Sequence, residues 1–355
     1  MRTAVTKAIL FLGRYAVLPI AALAVAVFIG WLAAFDQFPR TAVISLPVIV
    51  AVATVAIALA IGFLLPARRK RDRNVVDEGA APGLWAMWHE LDAATPRSRR
   101  TLRIDPDLNA SIGERRRCFG LLHRHITMTV GLSLLLVLDD RAVRAVVAHE
   151  VAHARLQHTT GAANLDEFIQ AAANLFEHLD PERTITGRMA YLLLQSLLAW
   201  VTAEYRMMSR QNELAADRQA ADRTGTHDMA RALVLLDGAA AGMKELVMGP
   251  LDKELLGAIR APTPPLQRLV DQLDAIRAHR AVDGAAETKE DEDTEDYHPP
   301  LHERLANLGF AAIPQVEMPQ MTAAESLLST AAMKELLAEF NDTWRRNVNA
   351  VIAIH

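Results

Sequence analysis

The sequence predicts a mainly α-helical α+β fold with a small β-sheet, preceded by a two-helix transmembrane hairpin. Two uncharged apolar runs near the N-terminus, one alternating stretch between Leu102 and Val130, and helical apolar spacing through most of the remaining chain carry that reading. The 355 residues allow one large or two ordinary domains, and 51% hydrophobic content is high for a purely soluble chain.

The hairpin comes first in the chain. No residue from Tyr15 to Phe35 is charged, and none from Thr41 to Ala67, so spans at about 15–35 and 42–66 can each cross about 30 Å of hydrocarbon as a helix. The turn-like link Asp36–Arg40 puts both ends of the pair on one side. Arg2, Lys7 and Arg14 precede the first run, Arg68, Arg69, Lys70, Arg71 and Arg73 follow the second, and Arg40 stands alone between them. The positive-inside rule then makes this a multi-pass protein of the inner (cell) membrane, with the remainder of the chain in the cytoplasm. A cleaved signal peptide ending near Leu32-Ala33-Ala34 is the rival, and the second run argues against it because that run would still anchor the product. The basic collar closing segment 1–73 serves topology and contact with an anionic lipid bilayer. Nucleic acid is excluded as a partner, since no recognition motif or interleaved aromatic residues accompany the collar. Cys118 is the one cysteine, so there is no intramolecular disulfide.

Past the collar, Leu102–Ile112 reads as a strand, a turn at Pro106 and a second extended piece. Ile126–Val130 alternates again, and Gly131 ends it before the apolar run Leu132–Leu138. These form a small sheet, whose edge either pairs with an extended polypeptide or merely packs on the next helix. Arg141–Gln157, Leu165–Phe176 and Met189–Tyr205 carry helical spacing. Met189–Ala203, bounded by Arg188 and Glu204, is short for a full span and reads as a buried core helix, with contact to the membrane as the alternative. Residues 281–297 contain the acidic run Glu287–Asp296, too charged to pack a core, and predict a mobile loop. Thr322 and Glu325 form a capping box that opens a helix through Met333 toward Phe340.

Chemistry concentrates at His149-Glu150-Val151-Ala152-His153. Helical positions four apart share a face, so His149 and His153 can grip one metal ion while Glu150 reaches a metal-bound water as general base. A histidine pair that is only solvated or hydrogen-bonded is the plainer alternative. A catalytic zinc takes three protein ligands and keeps one position open. Glu213 and Asp217 also share a face: Glu213 can be a ligand and Asp217 can accept the free N–H of a ligand histidine, unless the two form a solvated acidic stripe facing Arg210 and Arg218. His123, His125, His158 and His302 read as structural or exposed.

Five stretches, NASIG at 109–113, TVGL at 129–132, AVVAHEVAHARLQH at 145–158, SRQNELAAD at 209–217 and the His298-Pro299 motif with its following arginine, resemble the HtpX-type integral-membrane zinc metallopeptidases, relatives of the CAAX prenyl protease. The resemblance implies a zincin-like (gluzincin) domain over 74–280, completed by the helical part 298–355. It implies one Zn2+ per chain held by His149, His153 and Glu213, with Glu150 as general base and Asp217 behind His149. His298 would donate to the tetrahedral oxyanion or act as a temporary fourth ligand that closes the resting site. The implied activity is that of a membrane-anchored endopeptidase acting on membrane-associated or misfolded polypeptides, with Glu150 activating a zinc-bound water. The chain departs from that pattern in offering only Met189–Ala203 as a further span. A catalytically silent binding module and a processing protease for specific, for example prenylated, substrates are the competing functions.

Overall fold

The computed structural model describes residues 2–35, 37–40, 43–46, 49, 53, 56, 74–96, 99–117, 122–178, 180–279 and 298–353. The chain forms two compact units, Met1–Arg71 with Leu156–Gln211, and Asp72–Arg155 with Asn212–His355. In chain order the elements are α1 (Arg2–Leu12), a 3-10 turn (Gly13–Val17), α2 (Leu18–Phe35), β1 (Val75–Val76), α3 (Pro82–Leu91), β2 (Arg100–Asp105), β3 (Ala110–Arg117) and β4 (Leu122–Gly131). There follow α4 (Leu132–Val137), α5 (Asp140–Thr160), α6 (Ala162–His178), α7 (Ile185–Thr224), α8 (Thr226–Gly242) and a π-helical turn (Met243–Met248). The chain ends in α9 (Gly249–Leu255), α10 (Pro265–Asp271), α11 (Leu273–Ala278), α12 (Leu301–Asn307), α13 (Ala323–Leu327) and α14 (Thr330–Ile352).

The unit holding the N-terminus packs Ile9 of α1 with Leu165, Phe168, Ala172 and Leu175 of α6 and Val201 of α7. Gly161, in the left-handed region at φ 81°, turns the chain into α6, and Asn164 Nδ2 donates to Leu10 O at 2.6 Å. Among the described residues no helix is long and apolar enough to cross a membrane. The hairpin expected from the sequence is therefore not shown. Most of 41–67, the basic collar, Cys118 and residues 280–297 lie outside the described residues, as do several side chains of the uncharged α2. The expectation of a buried helix at Met189–Ala203 needs correction. That stretch is the first half of the 40-residue α7, with Leu194 and Val201 buried but Tyr191 45% and Leu192 55% exposed, so one stripe of it packs and the opposite face does not.

In the other unit the alternating stretch becomes a sheet in the order β1-β2-β4-β3. β4 inserts between β2 and β3, pairing parallel with β2 (Leu102 opposite Met128) and antiparallel with β3 (Ala110 opposite Val130). One face buries Leu102, Ile104, Met128 and Val130 completely, as a period of two requires. The strand that ends the order, β3, keeps a free edge among the described residues. Gly131 closes β4 where the chain preceding β3 passes too near for a side chain: a Cβ there would meet Asp107 O at 1.7 Å, and the Gly131 N–H instead donates to Asn109 O at 2.8 Å.

Asp139 then starts α5, accepting from the Ala142 N–H at 2.9 Å and taking a two-pronged contact from Arg231 of α8. The apolar positions Ala142, Val143, Val146, Val147 and Val151 fasten α5 into the core. The capping box at Thr322 forms, but the helix it opens stops at Leu327 instead of running through Met333. Leu328 turns extended and buries its side chain, the Ser329 N–H donates to Ala80 O, and the Ser329 hydroxyl caps a new helix, α14, by accepting from the Ala332 N–H.

Candidate metal centre

Two helices supply the core of the site. α5 sets His149 and His153 one turn apart with ring centroids 5.9 Å from each other, and α7 brings Glu213 up against both. Glu213 Oε1 lies 2.8 Å from His153 Nε2, and its Oε2 lies 3.4 Å from His149 Nε2. The other ring nitrogen of His149, Nδ1, sits 2.9 Å from Asp217 Oδ1, though its N–H points off the hydrogen-bond direction. His298, ahead of α12, reaches Glu213 Oε1 with its Nδ1 at 3.1 Å while staying 63% exposed. The six residues expected from the sequence thus gather in one place, with Glu150 lining the same cleft as His149, Glu213 and His298.

The acidic-stripe alternative fails on burial, because Glu213 is 1% and Asp217 0% exposed. Arg218 turns instead to Asn307 Oδ1 at 2.6 Å. His302 is exposed, and His125 is engaged by Thr101 Oγ1 at 2.6 Å, so neither belongs to the site.

A residue given no role by the sequence completes the arrangement. Arg304 of α12 grips Asp217 with two parallel bonds, Nε to Oδ2 at 2.8 Å and Nη2 to Oδ1 at 2.6 Å, and its Nη2 is 3.6 Å from Glu213 Oε2. Its position in the His298 motif was the available signal; that its partner lies 87 residues upstream was not legible.

Charges are strongly coupled here. Burial by itself would lower the His149 pKa, but the Asp217 and Glu213 carboxylates outweigh it and raise it to about 9. Burial would likewise raise Glu213, yet contacts from His149, His153 and His298 hold it far below the usual carboxylate range. Asp217 is also lowered, its burial outweighed by Arg304 and His149. Glu150 goes the other way, raised by burial.

Among the described residues no group of three His, Cys, Asp or Glu side chains is arranged around a metal position. The donor set nevertheless fits zinc: two imidazole Nε2 atoms and one carboxylate converge, with a second carboxylate behind His149. Glu213 Oε2 is buried and among the described residues has no hydrogen-bond partner, a lone pair that a cation would satisfy.

The cleft beside these groups is a cavity of about 210 Å³. Asn109 and Ala110, where β3 begins, form one wall, and Met229, Leu233 and Leu236 of α8 form another, with Val146 of α5 beneath the metal residues. Nothing in the sequence had marked α8 as a wall.

Comparison with known proteins addresses the family. The model of peptidase family M48 matches residues 105–310, a span that contains every residue of the site. A protease HtpX homolog from Acidiphilium cryptum (strain JF-5) is 32% identical over 173 residues, which cover 42% of this chain and 60% of that relative. The chain therefore spans about 60% of the length of the curated relative it matches. No solved structure matches it.

Proposed function

Because the chain belongs to peptidase family M48, we propose that it is a zinc-dependent endopeptidase, tethered to a membrane and acting on membrane-associated or misfolded polypeptides. The observation that carries the reading is the convergence of His149 and His153 on Glu213 beside a cleft that Glu150 lines. When bound by these three, zinc supplies a Lewis acid that polarises the scissile carbonyl and brings the pKa of water toward neutrality.

The protein's own groups do the rest. Glu150 takes the proton of the attacking water and returns it to the leaving amine nitrogen. Asp217 keeps the His149 proton on Nδ1, which leaves the Nε2 lone pair for the metal, and Arg304 in turn fixes Asp217. His298, with Nδ1 on Glu213 Oε1, is placed to shield a ligand oxygen in the resting site or, swung toward substrate, to donate to the developing oxyanion. The free edge of β3 opens at Asn109 and Ala110 on this cleft, which suits an extended substrate paired main chain to main chain.

The uncharged runs 15–35 and 41–67 support membrane tethering, and the basic residues flanking them support a cytoplasmic peptidase domain. So do the exposed apolar side chains Leu23, Ile29, Leu32, Tyr191 and Leu192, all in the unit that holds the N-terminus.

The test compares wild type with Glu150→Gln, purified in detergent and assayed for zinc content and casein cleavage. Both proteins should hold one zinc, and cleavage should fall by about 10²–10⁴-fold in the variant. Equal rates would remove Glu150 from the reaction. Zinc without any cleavage by wild type would instead identify a silent binding module.

A further inference from the structure

We propose that the cavity sharing Leu108 with the catalytic cleft is a second recognition site, one that takes a single large apolar side chain of the polypeptide substrate. The proposal rests on the peptidase reading and extends it to substrate selection. The cavity measures about 250 Å³, and its walls include Met243, Met248, Leu266, Phe340 and Trp344. That is below the roughly 300–1,000 Å³ of sites for drug-sized molecules and of the scale of one side chain.

Its position follows from the start of β3. Pro106, Asp107 and Leu108 close one side of the cavity, and the next residues, Asn109 and Ala110, wall the catalytic cleft and open the free edge. An extended peptide added to β3 therefore leaves the edge over Leu108 and meets this cavity within a few residues. Antiparallel addition, the commoner pairing, directs the C-terminal side of the scissile bond that way. The partition is firmly held: Ser133 Oγ donates to Pro106 O at 2.5 Å, and Gly131 N–H to Asn109 O at 2.8 Å.

Two independent features mark the cavity as more than a packing gap. Asn341 is only 5% exposed, and among the described residues its Oδ1 has no hydrogen-bond partner, while its Nδ2 makes a long 3.4 Å contact to Gln267 Oε1. An acceptor left unsatisfied in the interior is unfavourable, and a peptide N–H or an indole N–H entering the cavity would supply the missing donor. Met243 and Met248 are the two ends of the π-helical turn, a backbone form frequent at functional sites, and methionine side chains adapt to apolar partners of different shape.

The test uses quenched-fluorescence peptides identical around the cut and carrying Trp, Leu or Gly at the second, third or fourth position on its C-terminal side. Wild type should prefer Trp or Leu over Gly by about tenfold or more in kcat/KM at one of these positions, chiefly through KM. Met248→Asp, which puts a charge at a position already 39% exposed, and Trp344→Ala should each bring that ratio toward one. The ratio is taken within each protein, so a general loss of activity cancels. The same peptides bound to Glu150→Gln, measured by fluorescence anisotropy, report the preference as a ratio of Kd values without turnover. Absence of cleavage by the zinc-loaded wild type would refute the peptidase reading, and the binding ratio would still decide on the cavity. No preference in wild-type cleavage or in Glu150→Gln binding, or a preference undiminished in both cavity variants, overturns the proposal.

Discussion

Replacing Gly131 by alanine should damage substrate positioning while sparing the metal ligands. The backbone there, φ −75° and ψ 135°, is one that any residue adopts, so glycine is required for space and not for conformation. An added Cβ would lie 1.7 Å from Asp107 O, 2.7 Å from Asp107 C and 3.0 Å from Asn109 O. Real Cβ contacts essentially never fall below 3.0 Å, so the Asp107 carbonyl must retreat by at least 3.0 − 1.7 = 1.3 Å. The retreat drags Leu108 and Asn109, strains the Gly131–Asn109 hydrogen bond and shifts the origin of β3 at Ala110. Overpacking of this kind destabilises by about 1–3 kcal/mol, with about 1 kcal/mol more for the weakened bond. A displacement near 1 Å at a substrate-positioning wall lowers turnover by about 10²-fold. Thermal melting, zinc content and kcat/KM on one peptide are the measurements. Zinc should stay at one per chain, since His149, His153 and Glu213 are on other segments. A variant with wild-type melting and kcat/KM within about twofold would refute the reasoning, and a loss of zinc would place the damage in α5 or α7.

Three further outcomes follow from the same geometry. Arg304→Met leaves the fully buried Asp217 without its two-pronged partner, so stability should drop by about 3–5 kcal/mol and zinc affinity by about 10–100-fold, with Arg304→Lys a poor rescue; calorimetry and zinc titration decide, and unchanged values would remove Arg304 from the site. Chelation should abolish cleavage and lower the melting temperature, yet leave the far-ultraviolet circular dichroism intact, because Val143, Val147 and Val151 fasten the ligand-bearing α5 into the core independently of any metal; restored activity on adding zinc completes the expectation, and an unfolded apoprotein would contradict it. Burial would raise Asp139, but Arg231 and the Ala142 N–H outweigh it and hold its pKa below the ordinary value, so its contribution is fully present above about pH 4 and is lost as the pH falls further. Asp139→Asn should therefore destabilise by about 1–3 kcal/mol at pH 7 and by less at pH 3 in denaturant titrations, and an equal loss at both would show that the pair contributes nothing through its charge.

The sequence by itself determined what depends on neighbours within a few residues. A period of 3.6 put His149 with His153 and Glu213 with Asp217 on shared faces, a period of two announced β2 and β4, and the Thr322–Glu325 box was real because both its partners lie within one turn. Tertiary structure decided whatever depends on distant segments meeting. Nothing local tells β4 to insert between β2 and β3, which buries Met128 and Val130 and leaves β3 the free edge beside the cleft. The helix opened by Thr322 breaks early because Leu328 finds a place in the core and the Ser329 N–H finds Ala80 O, gains invisible to a capping rule. The apolar spacing of Met189–Ala203 specifies a helix but not its burial, since periodicity shows which face is apolar and not what covers it. The reach of Arg304 to Asp217, the α8 wall and the orphaned Asn341 oxygen arise the same way. Hydrogen-bond spacing along one helix is a property of the chain, whereas burial and pairing across 87 residues are settled only by the packing of the whole unit.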